Sequence, residues 1–211
     1  GLTATPERMD GKDLRPDFGN RISAEIRLPQ ALQAGLLTPF QYLCISDDTD
    51  LSDDSLWSGQ KYNIERLADK LCAKTRARLI VDALHKYLAD EYTCRALCFC
   101  VNKRHADFMA EQLRLYGFNA QSLTSDTPAD ERKQLAKDLR EGTLHYLCVV
   151  DIFNEGVDIP EVDTVLFLRP TESLTIFLQQ LGRGLRLSAG KTELTVLDFV
   201  AQANRKYDFA S

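Results

Sequence analysis

The residues best suited to chemistry form one run, Gln179-Gln180-Leu181-Gly182-Arg183-Gly184-Leu185-Arg186. At 100° per residue, a helix through them puts Gln179, Arg183 and Arg186 within about 60° of one another, opposite an apolar stripe of Leu174, Phe177, Leu178 and Leu181. Planar guanidinium forks neutralise charge on phosphate oxygens, above all in a phosphoryl-transfer transition state, so the pair suits a triphosphate. Each glycine inside a helix costs about 1 kcal/mol relative to alanine. That loss makes sense where another backbone or a ligand comes close. A solvated arginine face at a glycine-weakened helix end would explain the same residues.

A second segment, Val149-Val150-Asp151-Ile152-Phe153-Asn154-Glu155-Gly156-Val157-Asp158-Ile159-Pro160-Glu161, leaves an apolar strand at its C-terminal end. In open α/β sheets that edge is where ligands bind. Gly156 between Glu155 and Asp158 permits a close backbone approach, and the bland reading is an acidic turn stopped by Pro160. His85, His105 and His145 have no companion cysteine at ligand spacing, so they read as surface or packing residues and no metal site is expected. Cys94, Cys98 and Cys100 share one strand face and read as small buried hydrophobes in a reducing cytosol. Trp57 beside Tyr62 reads as an anchor for the chain before it, with a base-stacking platform as the rival.

The elements that must position these residues follow from periodicity. Apolar residues recur at helical spacing from Asn63 (Ile64, Leu67, Leu71, then Ile80, Leu84, Tyr87, Leu88). After Thr93 short apolar runs alternate with helical stretches: Ala96–Val101, His105–Tyr116, Ala120–Leu123, Pro128–Arg140, Leu144–Val150, Val162–Leu168, Ser173–Leu185 and Leu194–Val200. That is βαβ logic, with runs 144–150 and 162–168 apolar enough to be central strands of a parallel sheet. Asn102 is placed to cap the helix after the first strand, and Thr127-Pro128 to open the third. Residues 10–57 are irregular, with the acidic run Asp47-Asp48-Thr49-Asp50-Leu51-Ser52-Asp53-Asp54, and read as a connecting arm. The 211 residues, 44% hydrophobic and 27% charged, exclude wholesale disorder. No apolar run is long enough to span a membrane, and Gly1-Leu2-Thr3-Ala4-Thr5-Pro6-Glu7-Arg8 reads like the interior of a longer chain. The net charge of −5 argues against a wholly basic coat for nucleic acid but allows a local basic face.

In this order the two chemical segments resemble motifs V and VI of superfamily 2 helicases and translocases. The resemblance extends along the chain: Gly1–Arg8 looks like motif III at the end of a first RecA-like domain, Leu97–Ala106 like motif IV, and Leu123–Arg132 like the segment ending in Glu-Arg that follows it. Arg169-Pro170-Thr171-Glu172-Ser173 leading into the Gln-Gln-Leu-Gly-Arg run is similar to the restriction-enzyme-like bacterial DEAD/DEAH branch. The fold so implied is a RecA-like parallel sheet between helices, a three-layer α/β/α domain over residues 63–211, preceded over 1–62 by the motif III tail and a linker arm.

The resemblance also implies roles. Arg183 and Arg186 would reach the γ-phosphate, with Gln179 beside them. Gly156 and Asp158 would touch nucleotide and couple it to the nucleic-acid track, and Thr3 and Thr5 would link the two domains. Asn102, Lys103 and Thr124 would lie against the phosphodiester backbone, a contact that tolerates any sequence. Val150 stands where many members have threonine and Ser125 where glycine is frequent, so contacts at those positions are in doubt. The chain has no G-x-x-x-x-G-K-[ST] loop and no Asp-Glu-x-His box, so ATP and Mg²⁺ would be held with the first RecA-like domain, absent here. The expected whole is a cytoplasmic ATP-dependent helicase or translocase on nucleic acid, DNA first, without a membrane; the chain alone would be inactive and need no cofactor. The alternatives are the motor subunit of a restriction system, moving on duplex DNA without unwinding, and a RecA-like binding module without ATPase activity.

Overall fold

The computed structural model describes residues 26–58, 61–150, 159–170 and 174–203, together with residue 19. Six parallel strands form one sheet in the order β1-β8-β7-β4-β6-β5: β1 Phe40–Leu51, β4 Ala96–Phe99, β5 Ala120–Leu123, β6 Tyr146–Val149, β7 Thr164–Phe167 and β8 Leu194–Ala203. Three of the four interior strands, β7, β4 and β6, are buried along their whole length, as apolar runs covered on both faces should be.

Two cores sandwich the sheet. On one face α3 (Lys74–Tyr87) and α4 (Lys103–Leu115) press Ile80, Leu84, Met109 and Leu113 onto Cys98, Cys148, Tyr146 and Leu166. On the other, α5 (Ala129–Glu141) and α6 (Leu174–Gly184) press Leu135, Leu139 and Leu181 onto Phe99, Leu147, Val165 and Val196. Strand alternation alone produces this, because neighbours such as Leu97 and Cys98 point to opposite faces. The three-layer α/β/α expectation is the observed architecture.

Residues 40–51, expected within a connecting arm, form β1, an edge strand paired in register with β8 from Phe40↔Leu194 to Asp47↔Ala201. Three carboxylates of the acidic run that suggested a solvated connector are bonded instead. Asp47 meets the Arg76 guanidinium of α3 at 2.5 Å with both side chains 2% exposed, Asp50 accepts from Ser52, and Asp53 caps a one-turn 3₁₀ helix over Asp54–Leu56. The arm also carries α1 (Leu28–Gln33) and the hairpin strands β2 (Trp57–Ser58) and β3 (Lys61–Tyr62). Trp57 lies 4.3 Å from the Tyr62 ring, packed on a cluster of Leu51, Leu56, Leu67, Leu71 and Val101. It anchors the hairpin and α2 (Ile64–Leu71) to the end of the sheet.

Local signals behave as their chemistry dictates. Asn63 and Asn102 cap α2 and α4 by accepting the N–H of Arg66 and His105. Helix α5 starts one residue later than its Thr-Pro signal implies, with Pro128 at the cap position, and Gly142 ends it in the left-handed region at φ 76°. Cys94, Cys98, Cys100 and Cys148 all lie in the core, and burial pushes the Cys94 thiol up to about 12. No helix among the described residues is long and apolar enough to cross a membrane.

Candidate functional site

Because all six strands of the main sheet run the same way, their C-terminal ends share one edge of it. Asn102 and Lys103 follow β4 and Thr124 follows β5 at this edge; α6 starts from it after β7 but runs back, so that its end packs on Val165 and Leu194 near the N-terminal ends of β7 and β8. Thr3, Thr5, Gly156 and Asp158 lie outside the described residues.

The α4 end is a set of donors held by carboxylates. Asn102 uses Oδ1 to cap the helix and donates from Nδ2 to Glu65 at 3.1 Å. Lys103 donates to Asp126 at 2.6 Å and Arg104 to Asp69 at 2.6 Å. The structure brings Lys103 and Thr124 together through that aspartate: the buried Thr124 hydroxyl accepts the Asp126 N–H at 3.3 Å, while its own N–H goes to Thr127 Oγ1 at 3.0 Å. Arg132 fastens the same turn by donating to the carbonyls of Ser125 and Thr127.

Beneath this end lies a buried polar group that sequence reasoning set aside as ordinary. His105 is fully buried and its Nδ1 accepts the Val101 N–H at 3.3 Å, so Nε2 carries the proton. Burial, reinforced by the nearby Arg76 and Arg104 cations, pulls the imidazole down to about 3. Burial opposes ionisation of Asp47 too, but there the Arg76 guanidinium and the two Thr49 donors prevail and hold the carboxyl below its usual value.

The α6 end is built differently. Gln179 is exposed and Arg183 half-buried one helical turn later, as the wheel requires, with Leu181 in the core. The regular helix stops at Gly184, so Arg186 stands two residues beyond it, exposed, on a turn rather than on the helix face. The second glutamine, Gln180, is buried. A Cβ on Gly184 would lie 2.8 and 2.9 Å from the Leu194 methyls and 3.1 Å from Val165, so this glycine lets α6 settle onto β7 and β8. A Cβ on Gly182 would meet nothing within 4 Å.

Helix ends leave carbonyls without partners, and here two residues outside the run supply donors. Buried Thr38 donates its N–H to the Leu185 carbonyl at 2.8 Å and its hydroxyl to the Arg186 carbonyl at 2.9 Å. Lys191 Nζ donates to the carbonyls of Gly184, of Arg186 at 3.1 Å and of Pro160 at 3.1 Å. Neither was singled out from sequence. A lysine in the last turn or just past it is the signal that could have found the second.

The helicase conserved C-terminal domain family matches residues 51–188. IRC3 of Saccharomyces cerevisiae, named as an ATP-dependent helicase, is 27% identical over 205 residues, 97% of this chain and 29% of its own. The type I restriction enzyme EcoKI endonuclease subunit of Escherichia coli is 28% identical over 171 residues, 74% of this chain and 14% of its own. The chain therefore spans less than a third of either relative. Among solved structures, the Escherichia coli DEAD-box protein SrmB bound to regulator of ribonuclease activity A superposes with a TM-score of 0.52 at 22% identity, covering 77% of this chain and 78% of that one.

Proposed function

The chain belongs to the helicase conserved C-terminal domain family of ATP-dependent helicases, and from that premise we propose that it is the second half of a two-domain motor in which Arg183 and Arg186 act on the γ-phosphate of ATP. The observation that carries the proposal is the anchored α6 end: the Arg186 carbonyl receives two donors and Gly184 is wedged against β7 and β8. A group that stabilises a transition state must be held in place before the reaction, and this backbone is held. Gln179, one turn before Arg183, completes the set on the same helix.

ATP with Mg²⁺ supplies the phosphoryl group whose transfer to water drives movement. The residues present fit half of that task. Two guanidiniums match phosphate oxygens, whereas the described residues hold no cluster of three His, Cys, Asp or Glu side chains of the kind that binds a metal. On this reading Mg²⁺ and the phosphate cradle are supplied by a first RecA-like domain. Asn102, Lys103 and Thr124, at the C-terminal ends of β4 and β5, are suited to phosphodiester contacts, with Gly156, Asp158, Thr3 and Thr5 coupling nucleotide to that track. Nucleic acid, DNA in the first instance, and the first RecA-like domain are the partners. The likeness to a restriction-enzyme subunit favours one further reading, translocation on duplex DNA without strand separation, which a strand-displacement assay on the full-length protein decides.

Two measurements test the proposal. Purified alone, the chain hydrolyses no ATP above background, and robust turnover would sink the half-site reading. In the full-length protein, Arg186→Ala lowers turnover by about 10³- to 10⁵-fold with nucleotide affinity far less affected. Unchanged turnover returns Arg186 to a solvated face.

A further inference from the structure

We infer that Lys191 is a positioning residue for Arg186: one ammonium group holds the carbonyls of Gly184, Arg186 and Pro160 and so fixes the turn from which the arginine reaches phosphate. The inference rests on the proposed role of Arg183 and Arg186 and deepens it.

An α-helix ends with unpaired carbonyls and the negative pole of its dipole, and a cation with several donors answers both. An ammonium has three N–H groups and no acceptor, and three carbonyls face it here. No neutral side chain offers three donors from one atom. The return of the chain that makes this possible is shaped by the Lys191 N–H bonding to the Ser188 carbonyl at 3.2 Å. Thr38 holds the Arg186 carbonyl from the other direction at 2.9 Å, so the peptide that carries Arg186 is gripped by two elements far apart in sequence. The Pro160 contact adds a third, because it ties this turn to the connection leading into β7. Lys191 touches no phosphate in this scheme. It decides where Arg186 begins.

The charges around Lys191 make the clamp sensitive to alkali. Burial pulls its ammonium down to about 8, against the opposing pull of Asp163 and Glu161 on the β6–β7 connection. Glu161 is shared with Arg140 of α5 at 3.6 Å, and Asp163 accepts the Arg95 N–H at 2.9 Å and the Thr164 hydroxyl. On its own side of the turn the nearest charged residues in sequence are Arg186 and Glu193. Once deprotonated, Lys191 has two N–H donors for three carbonyls.

The test uses the full-length protein and its nucleic-acid-stimulated ATP hydrolysis, with Lys191→Met, Lys191→Arg and Arg186→Ala compared. Lys191→Met should lower kcat about 10- to 100-fold, the loss that a displacement of about 1 Å entails, with KM for ATP within about threefold of wild type. Lys191→Arg, which keeps charge and donors, should recover part of it. Wild-type kcat should fall above pH ~8, and the low kcat of Lys191→Met should stay flat there. A Lys191→Met kcat within twofold of wild type, beside a collapsed Arg186→Ala, overturns the inference and leaves the arginine assignment standing. Wild-type turnover by Arg186→Ala overturns both. A Lys191→Met protein with a lower unfolding temperature but normal kcat in its folded fraction assigns Lys191 to stability alone and also overturns the inference. Should Lys191→Met fail to fold, the wild-type profile decides, and a kcat flat from pH 7.5 to 9.5 overturns it.

Discussion

The two segments proposed to meet the ligands, the start of α4 at the C-terminal edge of the sheet and the end of α6 against the first residues of β7 and β8, are secured by opposite means. At the start of α4 the donors Asn102, Lys103 and Arg104 rest on carboxylates of exposed residues, Glu65, Asp126 and Asp69. Beyond the end of α6 the backbone itself is bonded, by Thr38 and Lys191, and wedged by the contact of Gly184 with Leu194 and Val165. Exposed ion pairs are worth about 0–1 kcal/mol and yield to a competing anion. Hydrogen bonds to backbone carbonyls at a partly buried helix end do not exchange so cheaply, since an unmade partner that stays buried costs about 1–3 kcal/mol. The α4 end is therefore an exchangeable surface, as the proposed nucleic-acid contact would require, and the α6 end is a fixed mount.

The largest effect should come from unsettling the mount. In Gly184→Ala the new methyl arrives at 2.8–3.1 Å from Leu194 and Val165, both in the core between β8, β7 and α6. Overpacking of that kind costs about 1–3 kcal/mol, to be read as a lower midpoint in denaturant unfolding with an unchanged slope. Gly182→Ala is the matched control, because its methyl would meet nothing within 4 Å. It should leave stability unchanged or raise it by up to about 1 kcal/mol through helix propensity. Equal destabilisation by the two substitutions would break the contrast between a wedged and an open glycine.

Acid should separate the two ends next. His105 titrates near 6.5 when unfolded and about 3 when folded, because burial and the Arg76 and Arg104 cations disfavour the imidazolium. Its folded-state value is depressed, so the unfolded chain binds more protons in that window. The contribution is complete above pH 6.5 and is lost as pH falls toward 3, on the order of 2 kcal/mol by pH 5. His105→Asn, which keeps an acceptor for the Val101 N–H, should flatten the fall of stability between pH 6.5 and 5. Amide exchange should report faster opening at residues 101–106 in acid while the Leu185 and Thr38 amides, bonded to the Leu181 and Leu185 carbonyls, keep their protection. Parallel loss of protection at both ends would mean that they open as one unit.

Much of the mount was legible in sequence and much of the exchangeable end was not. Gln179, Arg183 and the two glycines declare a helix with a chemical face, because helical periodicity survives in a single strip of sequence. The apolar runs at 96–101, 144–150 and 162–168 announce central strands for the same reason. Strand β1 escaped, since its pairing with β8 joins residues more than 150 positions apart and its acidic half looks solvated until Arg76 is brought against Asp47. The helical wheel carried Arg186 onto a face that ends two residues before it. Thr38 was invisible, and Lys191 marked only as a lysine beyond a helix end, for a related reason: what they bind is backbone carbonyl, which has no letter in a sequence. The carboxylates facing Asn102 and Lys103 come from α2 and from the turn after β5, a juxtaposition made only by tertiary packing.

The smallest predicted effect is the most direct test of exchangeability. Lys103 and Asp126 are 2.6 Å apart with side chains 48% and 74% exposed, so the pair adds little to stability but occupies the donor that a phosphodiester would use. Asp126→Asn removes the competitor and should raise the chain's affinity for DNA or RNA about two- to fivefold at low salt, with the gain shrinking as salt screens both partners. A uniform change in net charge would act similarly, and Asp82→Asn on α3 controls for it, since Asp82 sits in another exposed pair with Arg78 at 3.9 Å. Lys103→Ala should weaken binding for all sequences alike and reduce the dependence of log K on log salt by about one contact. Fluorescence anisotropy of labelled single and double strands at two salt concentrations measures all three variants. If Asp126→Asn gains no more than Asp82→Asn, the carboxylate is not competing with phosphate at Lys103. The α4 end would then be as fixed as the α6 end, and nucleic acid would have to be gripped elsewhere along the strand edge.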